Sequence, residues 1–599
     1  MILVFGGTTE GRKAVEVLEE SGSPFYYSTK MGEQEVALKN GQAIHGALRR
    51  DDMLNFCREH NIRLIVDAAH PFASHLHHTV AEVAGTLGIP AIRFERIFPP
   101  RDPELTWIDD YSQIPSTIRS LLATTGVQSI SKLQPLEAQG VSVYYRILPR
   151  SSSMELAKEQ GASPGQLYYY DSPADIPVQT EAILLKESGL SGGFQEKVDA
   201  AKARGMTVFV LKRPDLSFFE HQVNGEHGLR RMVELLLPLF YPLHSGLTTG
   251  TCATAAAVAA TMMLSQREQG TDGVGKQLPT TVPVVLPDGE TISVPVGYGD
   301  GYAYCIKQAG DDPDVTDGLE IRATVLHRDN NLSSPSDNDS DIVITGGTGV
   351  GRFTLPGFDF PPGEAAINRV PRQMMRQNVR LTFAGCSPLQ VIISVPDGEQ
   401  IAQKTFNPRL GIEGGISIIG VSGIVKPFSE EAFISSIHKC MEVAKASGAE
   451  RVVINSGAKS ERFVKALYPD LPRQAFVEYG NYIGETLKMA DELQIHQVTL
   501  GVMLGKAVKL AAGQLDTHSR RATMDKDFVQ QMLSQAECPV DCSGITLARE
   551  LWDIIPASLI PRFVSVVIAH CRQHCQPLLP DGELTILLID ENGKVYGIS

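Results

Sequence analysis

Residues 404–426 read KTFNPRLGIEGGISIIGVSGIVK and place glycines among β-branched residues directly after an Asn-Pro-Arg corner. Glycine weakens strand and helix interiors, so its repeated use here predicts backbone at unusual φ/ψ or pressed against a ligand. A tight β-corner without a ligand is the alternative interpretation. Asn407, Pro408 and Arg409 fit a rigid turn that presents a cation. The glycines concerned are Gly411, Gly414, Gly415, Gly420 and Gly423.

The composition around this stretch is that of an ordinary globular protein. The chain has 599 residues, 43% of them hydrophobic and 21% charged, a length typical of about four domains. The net charge of −15 argues against a general nucleic-acid or membrane-surface binder. The N-terminus enters a strand and a turn without a signal peptide or membrane span, so we predict a cytoplasmic protein. The sequence is compatible with a homo-oligomer but does not decide the oligomeric state.

Nine cysteines, an odd number over a long chain, do not form a disulfide framework. Cys538 and Cys542, like Cys571 and Cys575, have three residues between them, and histidines adjoin the second pair. The flanking residues do not resemble a zinc ribbon, so we interpret these cysteines as structural or surface residues and predict no metal site.

The N-terminal segment alternates short strands and helices. Ile2–Phe5 predicts a strand and 11–21 a helix, with Gly6, Gly7, Thr8, Thr9, Glu10, Gly11 and Arg12 between them. A glycine turn at a helix start places free N–H groups beneath a phosphate. Helices at 51–60 and 79–87 and strands at 64–67 and 91–93 extend the pattern. We therefore expect a parallel, Rossmann-like sheet with its ligand at the carboxyl ends of the strands.

Two further segments point toward the same crevice. The strand ending at Asp67 continues into His70-Pro71-Phe72, for which a packed strand cap is the simpler interpretation. His75, His77 and His78 follow, and we interpret them as one solvated helix face. A second α/β segment at 141–214 carries Lys186 in a glycine- and serine-rich loop, which we expect to face the crevice from the opposite side.

The motifs GGTTEGR (6–12), DAAHPFA (67–73), SISKLQPL (129–136) and LLKESGLSGGFQEKVDAAKARGMTVFVLKRP (184–214) resemble the precorrin-6A reductase family over about 1–240. The resemblance implies two α/β subdomains, at about 1–100 and 101–240, and reduction of a corrin precursor by NADH or NADPH. The second strand ends without an acid for a ribose hydroxyl, which leans toward NADPH, whereas the cobalt-dependent branch implies NADH. The cofactor ligands implied are the Gly6–Arg12 turn, Asp67 and His70. His70 and Lys186 are the candidates for a catalytic proton donor.

A boundary falls near Pro238–Ser245, and the following segments have several turn motifs. Hydroxyls and glycine at 248–251 precede an alanine-rich helix at 253–264, either as an ordinary N-cap or as an anion seat. Pro-Asp-Gly turns at 287–289 and 396–398 predict two β-hairpins. Four acids in 307–318 suggest a metal or ribose site, without His or Cys at ligand spacing. The glycine loop 346–351 lacks a following lysine and helix, which argues against a P-loop.

The motifs GTCATAAA (250–257), ITGGTGVGRFTLPG (344–357), EAAINRVPRQM (364–374), the 405–432 segment, NYIGETL (481–487) and GKAVKLAAGQLDTHSR (505–520) resemble the cobalt-precorrin-5B C1-methyltransferase family over about 245–599. The resemblance implies methyl transfer from S-adenosyl-L-methionine, with Thr249, Gly250, Thr251, Gly414 and Gly415 as its candidate ligands. Val502-Met503 stands where the family often has Gly-His, which puts a catalytic histidine there in doubt.

Together the two resemblances predict an α/β chain: a Rossmann-like two-subdomain reductase at 1–243, then a mixed α+β, multi-subdomain methyltransferase at 244–599. Its substrates would be cobalt-precorrin-5B and cobalt-precorrin-6A, polycarboxylates that need local cations in an acidic protein. Arg352, Arg369, Arg409 and Lys506 are the candidate substrate ligands, with Arg372, Lys426 and Arg520 beside them in the motifs. The alternative is a corrinoid- or nucleotide-binding regulator with degenerate sites.

Overall fold

The computed structural model describes residues 1–30, 36–268, 277–328, 341–383, 385, 387–519 and 521–597. The chain divides into two compact units. Unit 1 comprises Met1–Ser245 together with Pro283–Ser293, and unit 2 comprises Gly246–Val282 and Val294–Ser599. Unit 1 is therefore built from two separate segments of the sequence. Among the described residues, we find no helix that combines the length and the hydropathy of a membrane span.

Unit 1 is an α/β structure of short buried strands and amphipathic helices. In chain order its strands are β1 (Ile2–Phe5), β2 (Phe25–Thr29), β3 (Gly41–His45), β4 (Leu64–Asp67), β5 (Ala91–Glu95), β6 (Thr106–Ile108), β7 (Ser120–Ala123), β8 (Ser142–Ile147), β9 (Leu167–Tyr169), β10 (Ala182–Lys186), β11 (Thr207–Leu211) and β12 (His221–Asn224). The helices are α1 (Thr9–Glu19), α2 (Arg50–Glu59), α3 (Ser74–Leu87), α4 (Ile130–Glu137), α5 (Ser151–Glu159), α6 (Phe194–Ala203) and α7 (Gly225–Leu236).

Two six-stranded parallel sheets organise unit 1. The first has the order β12-β5-β4-β1-β2-β3 and the second the order β6-β11-β10-β7-β8-β9. Their central strands are buried along their whole length, because helices cover both faces of a parallel sheet. The strand order reverses between β1 and β4 in the first sheet and between β7 and β10 in the second. The Rossmann-like expectation is confirmed.

The remaining strands, in chain order, are β13 (Gly246–Leu247), β14 (Thr281–Val285), β15 (Thr291–Pro295), β16 (Gly297–Gly299), β17 (Tyr302–Ile306), β18 (Glu320–His327), β19 (Ile342–Gly346), β20 (Arg352–Phe353), β21 (Leu389–Ser394), β22 (Ile412–Glu413), β23 (Ile424–Val425), β24 (Arg451–Asn455), β25 (Phe476–Glu478), β26 (Gln497–Met503), β27 (Glu583–Ile589) and β28 (Val595–Tyr596). The remaining helices are α8 (Thr249–Glu268), α9 (Arg369–Thr382), α10 (Gly398–Ala402), α11 (Asn407–Leu410), α12 (Glu430–Ala446), α13 (Ala458–Lys465), α14 (Ile483–Glu492), α15 (Leu504–Ala511), α16 (Lys526–Gln535), α17 (Leu551–Ile554) and α18 (Ile560–Cys575).

Unit 2 has two five-stranded sheets of different character. The sheet β16-β17-β18-β21-β19 is antiparallel except for the β19–β21 pair, and α8 packs against it. In the second sheet, β25-β24-β26-β27-β28, the first four strands are parallel and β28 is antiparallel. This mixture confirms the predicted α+β character of the C-terminal part.

The two predicted hairpins have different outcomes. β14 and β15 pair around the first Pro-Asp-Gly turn, as predicted. The second prediction was wrong, because β21 is followed after its Pro-Asp-Gly turn by the helix α10. A Cβ at Gly398 would lie 2.1 Å from the carbonyl oxygen of Gly349, so this turn packs against the glycine loop. The sequence GEQIA also has ordinary helix-forming residues after its glycine.

The four cysteines that occur as two closely spaced pairs in the sequence lie in the interior of unit 2. Cys538, Cys542, Cys571 and Cys575 are buried in one apolar core beneath the β24–β27 sheet, and their sulfurs are free of disulfides. The Cys571 Sγ donates to the Ala507 carbonyl oxygen at 3.3 Å. A structural role is the interpretation that this burial supports.

Candidate functional site

The glycine turn of unit 1 lies where the first sheet reverses its strand order. Thr8 is the N-cap of α1, and its Oγ1 accepts a hydrogen bond from the Gly11 N–H at 3.0 Å. The same oxygen donates to the Ala68 carbonyl, just beyond β4, at 2.7 Å. Thr8 therefore joins the carboxyl ends of β1 and β4. Helix starts leave first-turn N–H groups without intrahelical acceptors, and anions bind there.

Tyr27 explains why this turn needs glycine. Its hydroxyl accepts from the Gly7 N–H at 3.0 Å, and a Cβ at Gly6 would lie only 2.2 Å from its ring. A Cβ at Gly11 would lie 2.7 Å from the Gly6 Cα. Gly7 itself has φ of +86° and faces open space, so a ligand can approach the backbone at this residue.

Glu10 joins the turn to the second sheet of unit 1. Its buried carboxylate accepts from Arg96 Nε at 2.9 Å and from the Ser191 hydroxyl. Arg96 also donates to the Ser188 carbonyl oxygen at 2.7 Å. The predicted approach of the Lys186 loop to the crevice is thus confirmed. The Glu10 side chain is occupied by these contacts, whereas Arg12 is exposed at the start of α1.

Asp67 is the centre of a buried charged network. Its carboxylate contacts His77 Nδ1 at 2.6 Å and Arg93 Nη1 at 3.0 Å, and all three side chains are at most 1% exposed. His77 Nε2 lies 3.1 Å from the His70 carbonyl oxygen. The interpretation of His77 as part of a solvated helix face was therefore wrong. α3 begins five residues before its predicted start, at Ser74, which turns His77 toward the sheet.

His70 stays neutral at physiological pH. Burial, reinforced by the positive charges of Arg96 and Lys186, lowers the pKa of His70 to about 3. Its Nδ1 accepts from the Phe72 N–H at 3.2 Å, so the ring proton belongs on Nε2. His70 can donate one hydrogen bond but does not carry a transferable second proton.

Lys186 ends β10, where the second sheet reverses its strand order. Its Nζ lies 4.9 Å from the centroid of the Phe72 ring, a cation–π contact with the segment that follows β4. Burial, with a smaller contribution from Lys132, lowers the pKa of Lys186 to about 8. Lys186 therefore carries a proton at neutral pH and can release it more easily than an ordinary lysine.

A second titratable cluster in unit 1 contains His227, Asp288 and Glu290, whose ligand atoms lie within 4.8 Å of one another. Both Glu290 oxygens already accept backbone N–H groups of α7, from Glu226 at 2.6 Å, His227 at 2.9 Å and Gly228 at 3.2 Å. A helix N-terminus favours an anion over a cation. We therefore assign Glu290 the role of capping α7, and the absence of a metal stays a prediction.

The glycine stretch of unit 2 has the unusual backbone that its sequence predicts. Gly411, Gly414, Gly420 and Gly423 have φ between +66° and +142°. At Gly415 a Cβ would lie 2.1 Å from the Gly349 carbonyl oxygen. The close approach is thus between two backbone segments of unit 2, which is the packed corner that the sequence left as an alternative.

The predicted anion seat at the start of α8 packs against this same stretch. The Thr248 Oγ1 accepts from the Thr251 N–H at 3.1 Å, as an ordinary N-cap. The Gly250 N–H donates to the Ile419 carbonyl oxygen at 2.9 Å, and Thr251 Oγ1 donates to that of Gly423 at 2.6 Å. Thr249 also bonds to Ile419. The polar groups of 249–251 thus bind backbone.

The candidate substrate cations divide into two groups. Arg352 and Arg369 are exposed, and Arg369 lies 3.4 Å from Asp359. Arg409 and Lys506 are half-buried near the carboxyl edge of the β24–β26 sheet. The Asn-Pro-Arg corner is the one-turn helix α11, and its Arg409 pairs with Glu461 at 2.7 Å.

Two other cations of the family motifs differ in their exposure to solvent. Arg372 is buried beside Glu364, and Lys426 is exposed. Arg520 lies outside the described residues.

The acidic loop at 307–318 uses its carboxylates internally. Asp314 contacts Lys307 Nζ at 3.1 Å and accepts from the Thr316 N–H, while Asp317 accepts from the Ala309 N–H at 2.7 Å. Asp312 accepts from the Phe428 N–H. These bonds explain the acids as loop-shaping groups. The glycine loop after β19 leads into β20 and not into a helix, as expected.

Curated relatives match half of the chain or more, and the match covers most of each relative's length. The cobalt-precorrin-5B C(1)-methyltransferase of Prosthecochloris aestuarii is 39% identical over 360 residues, which are 58% of this chain and 94% of the relative. The chain belongs to the cobalt-precorrin-5B C(1)-methyltransferase family. The CbiD family profile matches residues 241–427. The precorrin-6x reductase CbiJ/CobK profile matches residues 1–235, so the N-terminal part of the chain matches a second family.

Two solved structures are similar to parts of the chain. The cobalamin biosynthesis protein CbiD from Archaeoglobus fulgidus is 30% identical with a TM-score of 0.26, covering 47% of this chain and 83% of its own. A CobK precorrin-6A reductase is 17% identical with a TM-score of 0.32, covering 39% and 97% respectively.

The methyltransferase part contains polar residues that the sequence reasoning missed. Asn455 and Glu478 end β24 and β25, and the loop after β24 is Ser456-Gly457. The sequence does contain the pattern of a βα ligand site here: the apolar strand VVIN (452–455) is followed by Gly457 and a helix, and the acid Glu478 ends the next strand.

Proposed function

We propose that this chain is a bifunctional enzyme of cobalamin biosynthesis. Its C-terminal part methylates cobalt-precorrin-5B at C1 from S-adenosyl-L-methionine, which gives cobalt-precorrin-6A. Its N-terminal part then reduces cobalt-precorrin-6A to cobalt-precorrin-6B with NADH or NADPH. The observation that carries the proposal is the presence of both families in one chain, at 1–235 and over nearly the full length of the methyltransferase relatives. A cytoplasmic location stays a prediction from composition.

For the reductase, we assign the cofactor phosphates to the Gly6–Arg12 turn. The open approach at Gly7, the first-turn N–H groups of α1 and the exposed Arg12 fit a pyrophosphate. The nicotinamide supplies a hydride when it is bound. Asp67 positions the His70–Phe72 segment through His77, and Lys186 Nζ holds the proton for the macrocycle. Neutral His70 donates its Nε2–H as an orienting group.

The choice between NADH and NADPH rests on the end of β2. The segment Ser28-Thr29-Lys30 provides no carboxylate for a ribose 2′-hydroxyl, and Lys30 is exposed. Thr29 Oγ1 is occupied by His45 Nδ1 at 3.2 Å. These residues favour a 2′-phosphate, whereas the family branch favours NADH, so both cofactors belong in the assay.

For the methyltransferase, alignment of carbon, methyl and sulfur matters more than acid–base power. We assign the exposed Arg352 and Arg369 to carboxylates of the macrocycle, because they remain accessible. We propose 1–243 and 244–599 as the two family parts of the sequence. The unit 2 segment that packs on α8 supplies rigidity through its close backbone contacts.

The test uses the full chain with cobalt-precorrin-5B, methyl-labelled S-adenosyl-L-methionine and each nicotinamide cofactor. We expect label on the macrocycle, followed by oxidation of NADH or NADPH that depends on the methylated intermediate. Tight corrinoid binding without either reaction would instead support the regulator hypothesis.

A Gly7→Asp variant tests the phosphate turn, because a carboxylate there repels the pyrophosphate. We expect reduction to fall while methylation is retained. Gly22→Asp is the matched control, since Gly22 also has positive φ and open space at the other end of α1. Unchanged cofactor affinity in Gly7→Asp would remove the turn from the cofactor site.

A further inference from the structure

The parallel strands of the second sheet of unit 2 define a crevice. In the sheet order β25-β24-β26-β27, β25 lies on one side of β24, whereas the later strands β26 and β27 lie on its other side. The strand order therefore reverses between β24 and β26. Ligands of open parallel sheets bind outside the carboxyl ends of the strands at such a reversal.

The residues at this reversal form a polar row. Asn455 is in register with Glu478 on one side and Gly501 on the other, so their side-chain directions share the face that α13 covers. Gly457 caps α13 with φ of +154° and no side-chain cap. A Cβ at Gly457 would lie 3.3 Å from Glu478 Oε1, which places the carboxylate beside the start of α13.

Two polar groups of this row have oxygens without a hydrogen-bond partner among the described residues. Asn455 is fully buried, and its amide nitrogen donates to Val453 while its Oδ1 has no hydrogen-bond partner. No hydrogen bond within the described ranges reaches the Glu478 carboxylate. Burial raises the pKa of Glu478, although Arg409 and Lys506 oppose the shift. Buried polar groups normally find partners, so Asn455 Oδ1 is left with unused acceptor capacity beside the half-buried Glu478 carboxylate.

We propose that S-adenosyl-L-methionine binds at this edge, with Glu478 accepting hydrogen bonds from the ribose hydroxyls. Glu478 lies about 20 residues after Gly457, the spacing at which an acid after the second strand binds ribose in related βαβ sites. The methionine carboxylate then takes the N–H groups at the start of α13. The proposal rests on the methyltransferase function proposed above.

The chemistry favours this edge over the other candidates. A carboxylate can accept from both vicinal hydroxyls of a ribose, and its charge attracts the sulfonium cation. The groups of 249–251 are bonded to the backbone of 419–423, and Gly415 is closed by Gly349. The β24–β26 edge instead offers an acid, a buried acceptor and a helix start within one row.

The experiment measures binding of S-adenosyl-L-methionine and S-adenosylhomocysteine to the full chain by isothermal titration calorimetry. We expect Glu478→Gln to weaken both ligands roughly tenfold to a hundredfold, since it removes charge-assisted hydrogen bonds. The KM for S-adenosyl-L-methionine should rise by a similar factor, with a smaller change in kcat. Circular dichroism and thermal unfolding show that the variant is folded.

Two matched variants complete the design. Glu583→Gln removes an acid at the amino end of β27, the opposite edge of the same sheet, and should leave affinity unchanged. Gly414→Asn places a side chain that tolerates positive φ at an open position of the glycine stretch. This variant should also leave the affinity for S-adenosyl-L-methionine unchanged.

Unchanged affinity in Glu478→Gln, or a loss confined to Gly414→Asn, would overturn the assignment. A variant that loses cobalt-precorrin-5B affinity but keeps that for S-adenosyl-L-methionine would overturn it too, by making this edge the macrocycle site. These failures are distinct from failure of the proposed function, which would appear as no methylation and no S-adenosyl-L-methionine binding by the unaltered chain.

Discussion

Lys186 and His70 illustrate how burial separates two neighbouring candidates for one proton. Both are screened from water and both lie near other cations, which lowers the pKa of each. The lowered pKa leaves His70 neutral over the physiological pH range. The ordinary pKa of lysine is so much higher that Lys186 remains protonated at pH 7 even after it is lowered. Lys186 is therefore the better proton donor in the proposed reductase.

The first prediction concerns the pH dependence of reduction. Lys186 is protonated below its pKa of about 8 and loses its proton above it. If it donates the proton, kcat for reduction should be flat below pH 7 and fall by about tenfold per pH unit well above pH 8. Lys186→Met should abolish this limb together with most of the activity, measured by oxidation of the reduced cofactor.

Lys197 supplies the control for that measurement. It too is a half-buried lysine of the same unit, with its pKa lowered to about 8 by burial, and its Nζ donates to the Gly192 carbonyl oxygen at 2.7 Å. Lys197→Met should keep the alkaline limb in place. Loss of the limb in Lys197→Met, or its retention in Lys186→Met, contradicts the assignment.

At the residue scale, the sequence predicts local turns and strand ends better than it predicts side-chain contacts. The Gly6–Arg12 turn and the strand ending at Asp67 were found from their spacing in the chain. The partnership of Asp67 with His77 was missed, because it depends on where α3 begins. Ser74 is a weak helix start without a side-chain cap, and nothing local distinguishes it from a later one.

At the element scale, the glycines of the 404–426 stretch act by allowing backbone segments to touch. Val350 and Ile416 form a parallel bridge, as do Ile367 and Ile418, so this stretch lies alongside two neighbouring segments. Only residues without side chains fit where Gly415 meets Gly349. The stretch therefore makes close backbone contacts with its neighbouring segments in unit 2.

The second prediction tests this packing role. Gly415→Ala should destabilise unit 2 by about 3 kcal/mol or more, because its Cβ would overlap the Gly349 carbonyl group, which is backbone and cannot rotate away. Thermal and urea unfolding of the full chain, followed by a signal from unit 2, measures the change.

Gly505→Ala is the matched control. Gly505 is inside α15, and a Cβ there meets nothing within 4 Å. Alanine should stabilise this helix by about 0.5–1 kcal/mol through its helix propensity. If the two substitutions changed the free energy of unfolding equally, the close approach at Gly415 would not contribute to the stability of unit 2.

Element types were predictable where the hydrophobic period was clear, and less so after turns. β1, β4 and the β14–β15 turn follow from apolar runs and a Pro-Asp-Gly signal. The same signal after β21 leads into α10, because a turn motif specifies a change of direction and not the element that follows. Packing of Gly398 on Gly349 decides that case, and such tertiary contacts are absent from the local sequence.

At the scale of the whole molecule, family boundaries and compact units do not coincide. The reductase profile ends at residue 235, yet unit 1 includes Pro283–Ser293. Glu290 from this later segment caps α7, and Thr291 N donates to Asn224 Oδ1 at 2.7 Å. A Cβ at Gly225 would lie 1.9 Å from the Glu290 carboxyl carbon, so the helix start is shaped to receive this side chain.

The third prediction follows for a fragment that ends at Ser245. Without Glu290, the N–H groups of Glu226, His227 and Gly228 lose their acceptor, which should cost about 1–3 kcal/mol and open the first turn of α7. Hydrogen exchange with mass spectrometry should show faster exchange across 225–229 in the fragment than in the full chain.

The Glu290→Gln full chain and the strand β4 serve as references. Glu290→Gln should accelerate exchange in the same peptide to a smaller extent, because one amide oxygen remains as an acceptor. Exchange in β4 should not change, since it is central in its sheet. Identical protection of 225–229 in fragment and full chain would contradict the capping role.

The late segment of unit 1 has a consequence for how the protein is made. On the ribosome, the first 245 residues emerge without Pro283–Ser293, and at 5–20 residues per second the missing piece follows about 2–10 s later. During that interval the start of α7 is uncapped in the nascent chain. A gene rearrangement that separates the two enzymes at their family boundary would make this temporary state permanent, which gives selection a reason to keep the coding sequences joined.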